Sequence, residues 1–311
     1  MSKLFSCCLI ILTFIVSVRV AAAEGPQLQR ISDHVYALVG TTNASPAANG
    51  YGANVGVVIG RDAVLVIDTL ISARHAQPVA EQIRQRTDKP VKYVVNTHYH
   101  VDHVLGNCIF AKQGAIILAH ESTRLDVPKV ADRLAHPESL ATTAAGLEGT
   151  TLAAPTVTFT QDMKIDLGDV TVELNYPGPT HTPGSITAYV PQEKVLFAGD
   201  ILFTQYHPNL VEGDLANWQK VLADLEKMPA TKIVPGHGPL STKADLRDMR
   251  VYLGVFDAQA KMLCAGKAVT DAPAIAEVLT QRLPAQQRTE LRMMIERNLR
   301  ARYLPQPRTQ E

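Results

Sequence analysis

The chain has 311 residues, 46% of them hydrophobic, and its 30 lysines and arginines are matched by 30 aspartates and glutamates. That is enough apolar residue for one large core, or one core with a small appendage. The even charge balance excludes the basic excess of a nucleic-acid binder and provides no pull toward anionic lipid.

Taken in chain order, the first residues set the compartment. Lys3 leads into the apolar run LFSCCLIILTFIVSV, and Ala21-Ala22-Ala23 precedes Glu24. A basic start, an apolar middle and an A-x-A exit describe a secretory signal peptide over residues 1–23. The run is short against the roughly 20 residues of a bilayer span, so no stable membrane anchor is expected. The expected location is exported, in the periplasm. Cleavage would remove only Lys3 and Arg19 among the charged residues and leave Cys108 and Cys264 as the cysteines. Two distant cysteines are no disulfide framework, and they can pair only if the fold brings them together.

The runs HVYALVG (34–40), NVGVVIG (54–60) and AVLVID (63–68) read as strands. The loop between the first two carries Asn49-Gly50, a tight-turn pair. SARHAQPVAEQIRQRT reads as a helix and VKYVVN (91–96) as the next strand, a strand–helix–strand crossover. AIILAH (115–120) is a further strand, and 121–149 reads as helix and loop. TVTFT, DVTVELNY, ITAYV and KVLFAG follow as four strands. Asp214 suits a helix N-cap, with Leu215, Trp218, Val221, Leu222 and Leu225 forming an apolar stripe behind it. KIVPG (232–236) is the last strand, and from about Ser241 the chain reads as helical up to a tail broken by Pro305 and Pro307.

Coordinating side chains cluster at the ends of these runs. NTHYHVDHVLGN, directly after VKYVVN, places His98, His100, Asp102 and His103 in one short loop. An extended segment would point His98, His100 and Asp102 to one side, with His103 on the adjacent turn. Alone, this reads either as a histidine-rich structural turn or as half of a metal site. His181 in PGPTHTPGS, Asp200 closing KVLFAGD and His237 in KIVPGHG each add one ligand-type side chain at a strand end or tight loop. Four ligands from one loop, with three more elsewhere, serve two ions better than one zinc, which takes about four in total. Of the other histidines, His34, His75 and His136 read as exposed and His120 as a structural strand end. His207, shortly after Asp200, reads as a pocket-facing substrate contact.

The set H-x-H-x-D-H, then His181, then Asp200 after F-A-G, then P-G-H-G resembles the metallo-β-lactamase superfamily over roughly residues 28–245. The resemblance implies an α/β fold, a four-layer αβ/βα sandwich, here spanning 24–245 with a C-terminal helical extension over 246–311. It implies that His98, His100 and His181 hold one metal, that Asp102, His103 and His237 hold a second, and that Asp200 bridges them. Asp68 would brace the metal loop. Two Zn2+ are the expected cofactors, with iron or manganese also suited to this donor set. The implied activity is hydrolysis of an acyl bond (ester, lactone, thioester or β-lactam) in a small-molecule substrate by a hydroxide held between the metals, with Asp102 as the catalytic carboxylate. Asp200 stands where the cysteine-ligand lactamases would want Cys, so the ligand set is more similar to glyoxalase II and lactonases. Two other readings stay open: a mononuclear-iron sulfur dioxygenase of the same superfamily, and a non-catalytic metal or ligand carrier.

Overall fold

Alternating apolar residues in neighbouring strands sort onto two faces, and that sorting builds the protein in layers. The computed structural model describes residues 27–40, 52–139, 144–283 and 291–304. The segment read as a signal peptide, the Asn49-Gly50 pair and the stretch with Pro305 and Pro307 lie outside the described residues.

The first sheet runs in chain order: β1 (Gln29–Arg30), β2 (Val35–Leu38), β3 (Val55–Ile59), β4 (Val64–Ile67), β5 (Val91–Asn96), β6 (Ile116–His120) and β7 (Val157–Phe159). Pairing is antiparallel from β1 to β4 and parallel from β4 to β7. The crossover from β4 to β5 is α1 (Ala73–Arg84); α2 (Val101–Val104) and α3 (Asn107–Ala111) connect β5 to β6. After β6 come α4 (Glu121–Leu125) and α5 (Val127–Ala135). The second sheet contains β8 (Met163–Asp166), β9 (Thr171–Asn175), β10 (Thr187–Val190), β11 (Val195–Phe203) and β12 (Lys232–His237). Its order is β12-β11-β10-β9-β8, and α6 (Leu215–Lys227) makes the parallel β11-to-β12 crossover. The sequence pattern does not reveal β8, a short strand whose MKID carries one buried apolar residue, Ile165, beside a half-buried Met163.

Leu65 and Ile67 of β4 pack with Val172, Leu174 and Phe197 of the second sheet, while Val64 and Val66 pack with Ala76, Val79 and Ile83 of α1. In β11 the same alternation puts Val195 and Phe197 between the sheets and Leu196 and Ala198 against Trp218 and Leu222 of α6. Helices, sheet, sheet, helices is the resulting four-layer order. Strands covered on both faces need apolar residues at nearly every position, which is why these runs are continuous rather than alternating in sequence.

Three C-terminal helices, α7 (Lys243–Cys264), α8 (Ala272–Arg282) and α9 (Leu291–Arg302), complete the outer layer. Thr242 starts α7 with a capping box closed by Asp245. Leu246, Leu253, Phe256, Leu279, Ile295 and Leu299 join the same apolar cluster as Leu196 and Trp218. The helical extension therefore shares the core of the second sheet, and α7 begins at Lys243, slightly before the 245/246 boundary read from sequence. Cys108 and Cys264 are both free and buried.

Trp218 is fully buried, and its indole N–H donates to the Ile201 carbonyl at 2.8 Å. Trp218→Ala leaves both a cavity and an unpaired carbonyl. The expected loss of stability is about 3–5 kcal/mol, read from urea unfolding followed by circular dichroism.

Candidate metal centre

Parallel strands place their carboxyl ends on one rim, and the loops leaving that rim can bring distant residues together. Asp68 follows β4, His98 and His100 follow β5, and His237 is the last residue of β12. His181 comes from the connection between β9 and β10. Asp102 and His103 sit on α2, so the extended run expected from the sequence turns helical after His100. The turn still serves the site, because it brings the His103 ring near the Asp102 carboxylate, while Tyr99 packs edge-on against His100 and sends its hydroxyl to Glu212.

Asp200 lies within β11 rather than at its end. The register with β12 shifts on both sides of Gly199, whose φ is 50°, and this irregularity turns the Asp200 carboxylate into the site. A Cβ on Gly236 of β12 would come within 2.0 Å of Asp200 Oδ1, so only glycine leaves room for this carboxylate.

Seven side chains converge as two groups: His98, His100, His181 and Asp200, and next to them Asp102, His103 and His237. Within each group the ligand atoms lie within 4.8 Å of one another. Asp200 faces both. Its Oδ2 lies 3.5 Å from His98 Nε2 and 3.2 Å from His181 Nε2; its Oδ1 lies 3.2 Å from His103 Nε2 and 3.3 Å from His237 Nε2. Asp102 Oδ2 stands 3.4 Å from His237 Nε2 and 3.8 Å from His103 Nε2. His100 Nδ1 is 3.0 Å from His181 Nε2.

Hydrogen bonds on the far side of the rings decide which nitrogen is available. His103 Nδ1 donates to Asp68 Oδ2 at 2.8 Å, which turns its Nε2 toward Asp200. Asp68 also accepts from the Thr97 amide at 2.8 Å and the Thr97 hydroxyl at 2.7 Å. Its backbone is held in the left-handed region, φ 58°, to reach all three donors. His181 Nδ1 donates to the Asn209 carbonyl at 3.0 Å, which again frees Nε2. Such outer partners fix tautomer and ring orientation in metal sites.

The donor set fits a pair of divalent cations. His98 Nε2, His103 Nε2 and Asp200 Oδ1 are buried without a hydrogen-bond partner and converge on the same space. Buried polar atoms rarely go unpaired, and a cation between them is the partner their geometry calls for. Imidazole nitrogens with carboxylate oxygens suit zinc, iron or manganese.

Protonation in the cation-free protein divides along the same line. Burial depresses the pKa of His98 strongly, aided by neighbouring His103, and pushes His100 and His181 down to about 3. For His103 burial acts the same way but is outweighed by Asp200, Asp68 and Asp102, and for His237 by Asp200 and Asp102, so both are raised. Burial opposes ionisation of Asp200, yet His237, His103, His98 and His181 hold its pKa well below the carboxylate range.

Several contributors do not stand out in the sequence. Asn96 and Asn107 bond each other, and Asn96 and Thr69 donate to the His103 carbonyl, tying α2 to β4 and β5. For Asn96 and Asn107 the signal is the N-T-H opening and G-N close of the same histidine-rich stretch. Gly52 packs over Asp102, where an added Cβ would lie 2.6 Å from Asp102 Cβ. His207 takes a different place from the pocket-facing one expected: it is buried, with Nδ1 against the Tyr252 hydroxyl at 2.7 Å and Nε2 against Asn298 Nδ2 at 2.8 Å. His75 is buried as well, paired with Ser72 at 2.7 Å, rather than exposed. His120 stacks on Tyr176 at 3.8 Å. Neither cysteine is among the converging ligands.

With this geometry in place, residues 48–237 match the model of the metallo-beta-lactamase superfamily. The chain belongs to that superfamily. It is 29% identical over 180 residues to the 2,4-dinitroanisole O-demethylase subunit alpha of Nocardioides sp. (strain JS1661), covering 57% of this chain and 50% of that protein. It is 30% identical over 186 residues to the hydroxyacylglutathione hydrolase of Brucella ovis, covering 59% and 62%. The chain thus spans about half to three-fifths of the length of these curated relatives. The metallo-beta-lactamase from Pontibacter korlensis superposes with a TM-score of 0.60 at 22% identity, over 74% of this chain and 99% of that one. That likeness is one of fold: an α/β arrangement of two mixed sheets with flanking helices.

Two outcomes test the site. Asp68→Ala removes the acceptor that orients His103 and should weaken binding of one of two metal ions about 10- to 100-fold in a chelator competition. Because His103 and His237 carry protons to higher pH than free histidine, metal uptake by their group must displace those protons. Affinity there should fall as pH drops, whereas the already neutral His98, His100 and His181 release none. Metal-to-protein ratios across a descending pH series should therefore show the Asp102–His103–His237 group emptying first.

Proposed function

We propose that this superfamily member is an exported dinuclear zinc hydrolase that cleaves an acyl bond in a small-molecule substrate. The observation that supports this most directly is the Asp200 carboxylate, which presents one oxygen to each ligand group. A carboxylate placed this way could serve two adjacent cations at once, whereas a single iron would use only one of its oxygens, so it favours the hydrolase over the dioxygenase reading. The full ligand set likewise favours an enzyme over a carrier.

Cations bound there would supply Lewis acidity and lower the pKa of a bound water from about 15.7 to about 7, worth about 12 kcal/mol. The chain's own residues supply position and proton handling. Asp102 is the most accessible of the acidic ligands, its side chain 23% exposed against 4% for Asp200. One oxygen, Oδ2, is turned toward His237 and His103, and the other is available to orient the attacking water and take its proton. His103 and His98 are fully buried and serve as fixed donors, held by Asp68 and by Thr97. Thioester and lactone substrates come first among candidates because the Asp200 ligand set is of that kind and a hydroxyacylglutathione hydrolase is among the relatives.

The periplasmic location rests on the N-terminal segment alone. Among the described residues no helix is long and apolar enough to cross a membrane.

Metal analysis of protein isolated from the periplasm should give close to two zinc ions per chain; a single iron would transfer the assignment to the dioxygenase. On a panel of lactone, thioester, aryl ester and β-lactam substrates, Asp102→Ala should abolish whichever hydrolysis the parent shows while leaving its circular dichroism spectrum unchanged. Full activity in that variant would sink the mechanism.

A further inference from the structure

The last helix, α9, lies far along the chain from every metal ligand, yet its polar side chains converge on the loop that orients one of them. Asn298 is fully buried and all of its amide is engaged. Its Oδ1 accepts from the Leu210 amide at 2.9 Å, and its Nδ2 donates to the Pro208 carbonyl at 2.9 Å and to His207 Nε2 at 2.8 Å. Pro208 and Leu210 flank Asn209, so one side chain holds the chain on both sides of the residue whose carbonyl accepts from His181 Nδ1. Four residues on, Arg302 Nη1 donates to the Leu210 carbonyl at 2.8 Å and the Gly213 carbonyl at 2.7 Å. From the other end of the loop, the Asp214 amide donates to the Thr180 carbonyl, next to His181, at 2.8 Å.

His207 adds a fixed polarity to this arrangement. Its Nε2 accepts from Asn298, so a neutral ring carries its proton on Nδ1 and donates to the Tyr252 hydroxyl of α7. The ring packs against Phe256 with 4.9 Å between centroids and edge-on against Tyr252. Loop, α7 and α9 thus form one hydrogen-bonded unit behind His181.

We propose that Asn298 and Arg302 are positioning residues of the metal centre, acting through the 205–213 loop to hold the Asn209 carbonyl where it fixes the tautomer and direction of His181. The C-terminal helix is then part of the device that presents the first ligand group, beyond its packing role. This rests on the two-cation reading above. A carbonyl free to turn away would let His181 carry its proton on either nitrogen and rotate out of line, so the loss should fall on the His98–His100–His181 group and spare the other. Partners of this kind in metal sites are worth about 10- to 100-fold in affinity.

The test uses the full chain loaded with cobalt(II), with affinities from chelator competition and ligand geometry from the visible absorption spectrum. The parent protein must first bind two ions; fewer than two would refute the dinuclear reading itself. Given two, Asn298→Ala should lose about 10- to 100-fold in affinity for one ion, keep the other, and change the band of the weakened site. Leu299→Ala is the comparison, since Leu299 is a fully buried core residue of the same helix with no polar contact to the loop. It should lower the unfolding midpoint and leave both affinities unchanged. Equal losses in both variants, or none in Asn298→Ala, would overturn the proposal. If Asn298→Ala does not fold, Arg302→Met at its partly exposed position takes its place. The same loss at one ion then supports the proposal and no loss overturns it, and Arg302→Lys should restore part of the affinity.

Discussion

Everything at the rim follows from one constraint: a nearly dry carboxylate, Asp200, facing four imidazoles with two different oxygens. An ionised carboxylate taken out of water costs several kcal/mol unless positive charge comes with it. Neutral imidazoles cannot supply that charge, and the burial of His98, His100 and His181 keeps them neutral. Only His103 and His237 are raised in its presence, His103 by Asp200, Asp68 and Asp102 and His237 by Asp200 and Asp102. The site is therefore built short of positive charge, and the orphaned atoms at its centre mark where that charge belongs.

The scaffold gives way in specific places to satisfy this constraint. β11 abandons regular register around Gly199 to aim Asp200, and β12 carries a glycine beside it because any side chain would occupy the carboxylate's position. Asp68 accepts a left-handed backbone to gather Thr97 and His103. Strain of that kind costs on the order of 1–3 kcal/mol per residue and persists only where surrounding structure holds it. Here it is held by β4 and β5, buried on both faces within two apolar clusters. Rigid strands behind deformed ends are what a site needs if ligand directions are to stay fixed.

The sequence is readable where chemistry and local pattern coincide. His98, His100, Asp102 and His103 share one loop, so their spacing alone raises the metal reading, and His181 and His237 stand out among glycine and proline. The apolar runs of β4, β5 and β11 announce buried strands. What does not show is whatever depends on partners distant in sequence. The irregularity that puts Asp200 inside β11 is a property of its pairing with β12. His75 is polar and lies in a helix, yet the fold packs it inward on Ser72. His207 lies close to Asp200 in sequence, but α7 and α9 take up its two nitrogens, and nothing near residue 207 encodes Tyr252 or Asn298. β8 escapes because a four-residue strand with one buried apolar position has almost no pattern to detect.

The loop between β11 and α6 carries the remaining consequence of that long-range dependence. It touches the metal loop on one side, where the Tyr99 hydroxyl donates to Glu212 at 2.8 Å and Lys129 of α5 shares the same carboxylate at 2.9 Å. Lys129 also lies over the Tyr99 ring, 5.0 Å from its centre, so cation, ring and carboxylate close a small cycle. The Lys129 contact is half exposed and contributes little to stability on its own, as surface ion pairs generally do. Tyr99 stands between His98 and His100 in the chain, and its ring packs edge-on against His100 with 4.7 Å between centroids while its hydroxyl is held by Glu212. The same loop therefore meets the site from two separate parts of the chain, His181 at the Asn209 carbonyl and Tyr99 at the Glu212 carboxylate. A loop with that double role must itself be immobilised, and the burial of Asn298 against it supplies the immobilisation from the far end of the sequence.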